Sequence, residues 1–156
     1  MMFRGAEAIV TTVEWNGQNA ISKVRNPRSY RHPDLEKRLV QERMRSEVRI
    51  IERLISSGVS VPSLYSVDTV NSQIIMEFIE GVTLEQALRN KDFKKNLTST
   101  AELLASIHSM GVIHGDPTTS NFMVNEKIHA IDFGLAGISD DDEARASDLR
   151  VLLESL

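Results

Sequence analysis

Residues 113 to 124 read IHGDPTTSNFMV, and this stretch decides the fold. Asp116 and Asn121 stand five positions apart in it, between apolar residues that can hold a loop rigid. Eleven residues after Asn121, Asp132 opens a second acidic turn in IHAIDFGLAG. Mg²⁺ prefers oxygen ligands and takes one or two carboxylates together with substrate phosphates. The pattern therefore predicts a metal site at Asn121 and Asp132, with Asp116 left to orient a hydroxyl or a water.

Composition bounds the classes of protein to consider. A chain of 156 residues with 41% hydrophobic and 26% charged residues fits one globular domain or two small lobes. The absence of cysteine excludes disulfides, thiolate zinc sites and a cysteine nucleophile. No segment approaches eighteen consecutive apolar residues, so we expect no membrane span and a cytoplasmic location.

The first half of the chain predicts antiparallel strands with one inserted helix. Asn16-Gly17 favours a type I′ turn between AIVTTVEW and QNAISKV. Apolar residues recur at helical spacing from Pro33 to Ser57, and Gly58 can provide the left-handed C-terminal cap. The predicted apolar face of this helix comprises Leu35, Leu39, Met44, Val48, Ile51 and Ile55.

The strands SLYSVDTV and SQIIMEFI flank a turn at Asn71-Ser72 and end the strand-rich half of the chain. The half that follows predicts mostly helix, and TLEQ, with Thr83 and Gln86, reads as a capping box. Three helices are expected, one running to about Arg89, one from about Leu97 to Ser109, and one near Ser147 to Leu156.

A nucleotide site also needs cations for its phosphates. Lys23 lies on the strand after the first turn, where its ammonium can reach phosphates as a point charge. Glu47 on the long helix is the best candidate for its anionic partner, with Glu42 and Glu52 on the same helix as alternatives.

In this order the elements resemble the protein-kinase signature set of strand lysine, helix glutamate, His-X-Asp loop with Asn five residues later, and DFG. HGDPTTSN, DFGLA, KVRNPRSYRHP and GAEA resemble one family in particular. It is the small atypical kinase subunit of the KEOPS complex, which assists formation of threonylcarbamoyladenosine on transfer RNA. The resemblance covers nearly the whole chain, residues 5 to 156.

The resemblance implies an α+β fold, a minimal bilobal kinase-like fold. The N-lobe, residues 1–80, would hold an antiparallel sheet and one long helix, and residues 81–156 a reduced, mainly helical C-lobe. The implied activity is a partner-stimulated ATPase with weak serine/threonine kinase activity, using ATP and Mg²⁺. The implied partners are the threonylcarbamoyl transferase subunit and other KEOPS subunits, with transfer RNA reached through the complex.

The family pattern also assigns residues. Asp116 and Lys23 are implied to be catalytic, and Asn121 and Asp132 to bind the metal. Nucleotide contacts are implied for Gly5, Ala6, Glu7 and Ala8 of a phosphate loop, for Lys23 and Glu47, and for the backbone of Glu77 and Ile79 in MEFIEG at the hinge.

Departures from ordinary kinases shape the expected mechanism. Gly115 replaces an arginine that pairs with a phosphorylated activation loop, so we expect no such switch. Thr118 stands where many kinases have a lysine near the transferred phosphate. Pro117 replaces a leucine and lacks an amide hydrogen. Only 22 residues follow Gly134, so we expect a shortened family member or a truncated chain.

Some alternatives remain open at this point. A small-molecule phosphotransferase of the aminoglycoside-kinase type shares the HGD loop, and a pseudokinase would use the fold as a scaffold. His108 and His114 favour packed, hydrogen-bonded core positions over ligand roles. Asp148 either caps the last helix or braces the catalytic loop.

The basic segment from residue 25 to 53 is a candidate surface for the transferase subunit or RNA, because residues 23–53 hold ten of the 18 Lys and Arg. The alternative is that these residues form a solvated helix face. We expect charge reversal at Arg28 and Arg31 to weaken complex formation more than ATP binding.

Overall fold

The computed structural model describes residues 2–4, 8–26, 32–90 and 92–156. Its strands are β1 (Met2–Arg4), β2 (Ala8–Trp15), β3 (Gln18–Arg25), β4 (Leu64–Asp68), β5 (Gln73–Glu77), β6 (Val82–Thr83), β7 (Val112–Ile113), β8 (Phe122–Val124), β9 (Ile128–Ala130) and β10 (Gly137–Ile138). Its helices are α1 (Pro33–Ser56), α2 (Leu84–Ala87), α3 (Phe93–Ser109) and α4 (Asp142–Glu154), with one 3₁₀ turn at Thr119–Asn121.

The chain forms two compact units. The first comprises Met1–Arg49 and Ser63–Phe78, and the second comprises Ile50–Pro62 and Ile79–Leu156. The second unit therefore includes the last turns of α1 and the loop that follows them. The division into residues 1–80 and 81–156 remains a prediction about lobes.

The first unit is built on a five-stranded antiparallel sheet with strand order β1-β2-β3-β5-β4. Asn16 and Gly17 have φ of 48° and 82°, the two positive angles of a type I′ turn, which confirms the predicted hairpin. Met44 of α1 packs with Ile74 and Met76 of β5 in the core. Sheet and helix thus bury one shared apolar face.

The C-terminus of α1 confirms the predicted glycine cap. Gly58 has a φ of 77°, its amide donates to Ile55 O, and the amide of Val59 donates to Leu54 O, both at 3.0 Å. This pair of bonds is the Schellman motif, which satisfies the last helical carbonyls.

The predicted apolar face of α1 is only partly correct. Leu35, Leu39 and Ile55 are 42%, 36% and 39% exposed. The buried face comprises Glu36, Val40, Met44, Glu47, Ile50, Ile51 and Leu54, so it shares only Met44 and Ile51 with the predicted face. The rest of the prediction failed because it followed apolar side chains alone, whereas two charged residues, Glu36 and Glu47, occupy positions of the buried stripe.

The second unit contains two small antiparallel sheets, β10-β7 and β6-β8-β9, with helix α3 contacting β7 and β9. The predicted capping box is confirmed, because Thr83 Oγ1 accepts the amide of Gln86 and Gln86 Oε1 accepts the amide of Thr83. Helices α3 and α4 both begin earlier than predicted. The start of α4 follows from Asp141, whose carboxylate accepts the amide of Glu143 at 3.1 Å.

Within the part of the chain that the structure describes, no helix combines the length and apolar content needed to cross a membrane.

Candidate active site

A buried cluster of charged side chains lies in the first unit. Lys23 Nζ donates to Glu47 Oε2 at 2.7 Å, and Arg25 Nη2 donates to Glu47 Oε1 at 2.9 Å. All three side chains are buried, and Glu47 is only 2% exposed. Removing one partner of a buried ion pair costs about 3–5 kcal/mol, because the other charge is left in a low-dielectric interior. The structure thus brings Lys23 and Glu47 together, as the sequence predicts.

Strand and helix periodicity explain how these residues meet. β3 lies between β2 and β5, and alternate residues of a strand share a face, so Lys23 and Arg25 project to the same side of the sheet. Glu47 lies on the buried face of α1, whereas Glu42 and Glu52 are exposed. Sequence reasoning missed Arg25, although its spacing of two residues from Lys23 on a predicted strand was a usable signal.

The residues expected to contact adenine follow the end of the first sheet. Glu77 is the last residue of β5, its amide donates to Ser63 O at 2.8 Å, and its Oε1 accepts the amide of Ser63 at 3.0 Å. These two bonds fix Glu77 against the segment that precedes β4. Ile79 is buried. Adenine recognition by the backbone of these two residues stays a prediction.

The expected phosphate loop is described only at its end. Ala8 opens β2 and pairs with Arg25 of β3. Gly5, Ala6 and Glu7 lie outside the described residues, as do Arg28 and Arg31 of the basic segment. Phosphate contacts by the loop and partner contacts by the two arginines therefore stay predictions.

In the second unit, position 115 requires glycine because the backbone of Leu135 lies very close to it. Its φ is 91°, and a Cβ atom at this position would lie 2.2 Å from Leu135 O and 2.7 Å from Leu135 C. Real Cβ atoms do not approach backbone atoms so closely, and a φ in this region strains any residue with a side chain. The site thus has no room for the arginine of ordinary kinases, so the substitution noted in the sequence has a steric basis.

Asp148 of α4 braces the loop that carries Asp116. Its Oδ2 accepts the amide of His114 at 2.8 Å and lies 2.8 Å from His108 Nε2, while its Oδ1 accepts the amide of Gly115 at 3.0 Å. Asp148 is 2% exposed, and the N-terminal cap of α4 is Asp141. Of the two roles considered for Asp148, the structure confirms the brace.

His114 connects the two functional loops as a neutral side chain. Its Nδ1 accepts the amide of Asp116 at 3.2 Å, which requires an unprotonated Nδ1, and its Nε2 lies 2.9 Å from Ile131 O and donates to it. The ring is fully buried and lies 4.9 Å from the ring of Phe133. Burial lowers the pKa of His114, against the opposing effects of the Ile131 carbonyl and nearby carboxylates. The expected packed, hydrogen-bonded core histidine is confirmed.

The loop between Asp116 and Asn121 fixes the orientation of both predicted site residues. The amide of Thr118 donates to Asp116 O at 2.8 Å, closing a three-residue turn centred on Pro117, whose fixed φ suits an inverse γ-turn. Asn121 Nδ2 donates to Asp116 O at 2.8 Å and to Asp116 Oδ2 at 3.2 Å. Because both acceptors lie on the Nδ2 side, the amide oxygen of Asn121 points the other way.

Asp132 has a strained backbone next to this loop. Its φ is 58°, and its Oδ1 accepts the amide of Gly134 at 3.1 Å. The amide of Ile131, one residue earlier, donates to Asn121 O at 2.9 Å, so the two predicted metal ligands lie on directly bonded segments. Left-handed non-glycine residues are uncommon and concentrate at functional sites.

The donor set fits Mg²⁺, which accepts one carboxylate and one amide oxygen with phosphates and waters completing its shell. No group of three or more His, Cys, Asp or Glu side chains suited to a metal occurs among the described residues.

A second contact with α4, which sequence reasoning missed, holds the loop near Asn121. The amide of Thr119 donates to Ser155 Oγ at 3.1 Å, and Thr119 Oγ1 donates to Ser155 O at 3.3 Å. Thr119 is 4% exposed, and Ser155 is the C-terminal cap of α4. No local pattern signals this contact, since the partners are 36 residues apart.

Comparison with known proteins relates this chain to protein kinase domains. The family model of the protein kinase domain matches residues 5–151. The chain is 36% identical over 163 positions to the KEOPS complex subunit Bud32 of Pyrococcus abyssi, covering 98% of this chain and 74% of that protein. The chain belongs to the Bud32 family of protein kinase domains.

Other relatives of this Bud32-family domain are longer. It is 41% identical to the probable bifunctional tRNA threonylcarbamoyladenosine biosynthesis protein of Methanospirillum hungatei, covering 98% of this chain and 28% of that protein. It is 37% identical to the EKC/KEOPS complex subunit bud32 of Dictyostelium discoideum, covering 97% of this chain and 65% of that protein. The domain thus spans only just over a quarter of the bifunctional relatives.

Solved structures show the same fold. The domain superposes with a TM-score of 0.82 on the Rio2 kinase of Chaetomium thermophilum, solved as an ADP/Mg²⁺-phosphoaspartate complex, over 98% of this chain and 52% of that one, at 17% identity. The expected kinase-like α+β fold is confirmed.

Proposed function

We propose that this Bud32-family domain binds ATP with Mg²⁺ and acts mainly as a partner-stimulated ATPase with weak serine/threonine kinase activity. We place it in a KEOPS-type complex that forms threonylcarbamoyladenosine on transfer RNA. The names of the relatives support this placement. The ADP/Mg²⁺-phosphoaspartate complex of the Rio2 kinase, which shares the fold, supports the choice of nucleotide and metal.

The observation that carries the proposal is the orientation of Asn121. Its Nδ2 is used by the carbonyl and the carboxylate of Asp116. The amide oxygen is thereby directed away from Asp116 as a ligand for a hard cation. One loop of six residues therefore presents a carboxylate suited to a proton acceptor and an oxygen suited to Mg²⁺.

Each residue has a distinct proposed role. Lys23, held by Glu47, binds phosphate oxygens, while Asn121 and Asp132 hold Mg²⁺. The ion neutralises charge on the phosphates when it is bound. Asp116 orients the attacking hydroxyl or water and accepts its proton late.

The steric exclusion of a side chain at Gly115 explains why this loop lacks the arginine that, in ordinary kinases, pairs with a phosphorylated activation loop. Thr118 Oγ1 lies 2.9 Å from Ser120 Oγ, so neutral hydroxyls stand where many kinases place a lysine. The site therefore has one fewer positive charge for a transferred phosphoryl group, which favours slow transfer to proteins.

The proposed partners are the threonylcarbamoyl transferase subunit and other KEOPS subunits, with transfer RNA reached through the complex in the cytoplasm. The basic segment from residue 25 to 53 is the proposed docking surface. Its arginines at 28 and 31 are the positions at which to test it.

The deciding experiment measures phosphate release from ATP by the full chain, alone and with its transferase partner and transfer RNA. We expect the partner to stimulate release, and Asp116→Asn, which keeps the shape of the side chain, to lower it by about 10²–10⁴-fold. Equal rates for the variant and the wild type would refute the proposal.

The same samples separate the two alternatives. Phosphorylation of a metabolite in an ATP-dependent screen would indicate an aminoglycoside-kinase-type phosphotransferase. Nucleotide-dependent thermal stabilisation without turnover in any combination would indicate a pseudokinase scaffold.

A further inference from the structure

Arg25 is a buried cation for which the proposed roles give no function. It is 5% exposed, lies two residues after Lys23 on β3, and donates to the same carboxylate. Holding Lys23 for phosphate binding needs only one anionic partner. Burying a second cation beside the first carries a desolvation cost, so its presence calls for a physical reason.

The geometry at Glu47 indicates what Arg25 does. Oε2 accepts from Lys23 at 2.7 Å and Oε1 accepts from Arg25 at 2.9 Å, so each oxygen has its own cation. A carboxylate held at both oxygens cannot turn about its last bond without breaking a charge-assisted hydrogen bond. Held only by Lys23, it could turn, and the flexible ammonium stem of Lys23 would follow.

Both cations come from a strand that is fixed on two sides. Lys23 pairs with Val10 of β2 and Ile74 of β5, and the amide of Arg25 donates to Ser72 O at 3.0 Å. The spacing between the two cations is therefore set by the sheet and not by a loop.

We propose that Arg25 is a positioning residue that orients Glu47 and thereby holds Lys23 in place for the phosphates of ATP. This inference rests on the proposed function, because that function assigns the phosphates to Lys23.

The test uses the full chain with its transferase partner and compares three substitutions. Arg25→Gln removes the charge-assisted bond, and we expect it to raise KM for ATP and lower kcat/KM by about tenfold or more. Arg25→Lys restores a cation on the same strand position and should recover most of the loss. Arg89→Gln removes an arginine whose side chain is 76% exposed and that lies outside the basic segment, so it should leave both constants unchanged.

A double-mutant cycle shows whether Arg25 acts through Glu47. In a Glu47→Gln background the carboxylate is gone, so adding Arg25→Gln should lower kcat/KM by no more than about threefold. A loss as large as in the wild-type background would show direct action on the nucleotide and overturn the proposal. A lower Tm with unchanged KM and kcat would show a purely structural role and would also overturn it.

A measurement without nucleotide keeps the inference separable from the proposed function. The side-chain ammonium of Lys23 should give a slowly exchanging ¹⁵N NMR signal in the wild type and in Arg25→Lys, and lose it in Arg25→Gln. If wild-type protein turned over no ATP but showed this pattern, the proposed function would fail while the positioning of Lys23 held. A Lys23 signal unaffected by Arg25→Gln would overturn the positioning whatever the turnover.

Discussion

Replacing Asp148 by asparagine tests the brace beneath the catalytic loop. Asparagine keeps the shape and one accepting oxygen, which can serve His114 and His108 at the Oδ2 position. The other oxygen becomes an NH₂ group that faces the amide of Gly115 and cannot accept from it. Because the site is 2% exposed, water cannot replace the lost bond.

The expected cost follows from these contacts. An unsatisfied buried donor costs about 1–3 kcal/mol, and the loss of a charged acceptor for the other two donors adds roughly 1 kcal/mol. We therefore expect Asp148→Asn to lower the free energy of unfolding by about 2–4 kcal/mol, a large part of the roughly 5–15 kcal/mol typical of a domain. The corresponding fall in Tm is roughly 4–16 °C.

Activity should fall along with stability. Gly115 precedes Asp116, the proposed proton acceptor, so a displaced Gly115 amide moves the Asp116 carboxylate, and kcat should drop by about 10–100-fold. Urea titration followed by circular dichroism gives the free energy of unfolding, and phosphate release from ATP under folding conditions gives kcat. Asp142→Asn, an exposed acid of the same helix, is the matched control. A change of less than about 0.5 kcal/mol with unchanged kcat would refute the brace.

Three further predictions use the same assays. Gly115→Ala should lower the free energy of unfolding by more than about 2 kcal/mol, since its Cβ would meet Leu135 O; a stable, active variant would contradict the steric argument. Because the folded pKa of His114 is lowered, the unfolded chain binds more protons below about pH 6.5, so stability present above that pH should be lost on acidification. This pH slope should flatten in His114→Gln, and an unchanged slope would assign it to other groups. Ser155→Ala should lower the free energy of unfolding by about 1 kcal/mol and reduce kcat, because the Thr119 amide loses its acceptor; wild-type values would show that the contact is dispensable.

Local patterns in the sequence were sufficient for several elements. The Asn16-Gly17 turn, the Gly58 cap and the capping box at Thr83 each depend on residues within one turn of each other, so propensity alone predicts them. The spacing of Asp116, Asn121 and Asp132 was also enough to single out these three residues together, because the loops that carry them are short.

Local sequence patterns could not predict contacts between distant segments of the chain. Thr119 and Ser155 are 36 residues apart, and no local pattern signals their hydrogen bonds. The reason for Gly115 lies in the Leu135 carbonyl, which only the packed structure places beside it. The face of α1 was misplaced because Glu47 is buried by its two cations, and an apolar pattern counts such a residue as exposed.

Asp132 offers the most direct test of the claim that this is an ATP- and Mg²⁺-dependent catalytic domain. Asparagine tolerates the left-handed φ of 58°, so Asp132→Asn removes the charge while the backbone conformation is kept. The measurement is the Mg²⁺-dependent rate of phosphate release from ATP by the chain with its transferase partner, with the exposed Asp140→Asn as control. The account predicts a loss of about a hundredfold or more for Asp132→Asn and none for Asp140→Asn. Equal rates for wild type and Asp132→Asn at all Mg²⁺ concentrations would contradict it.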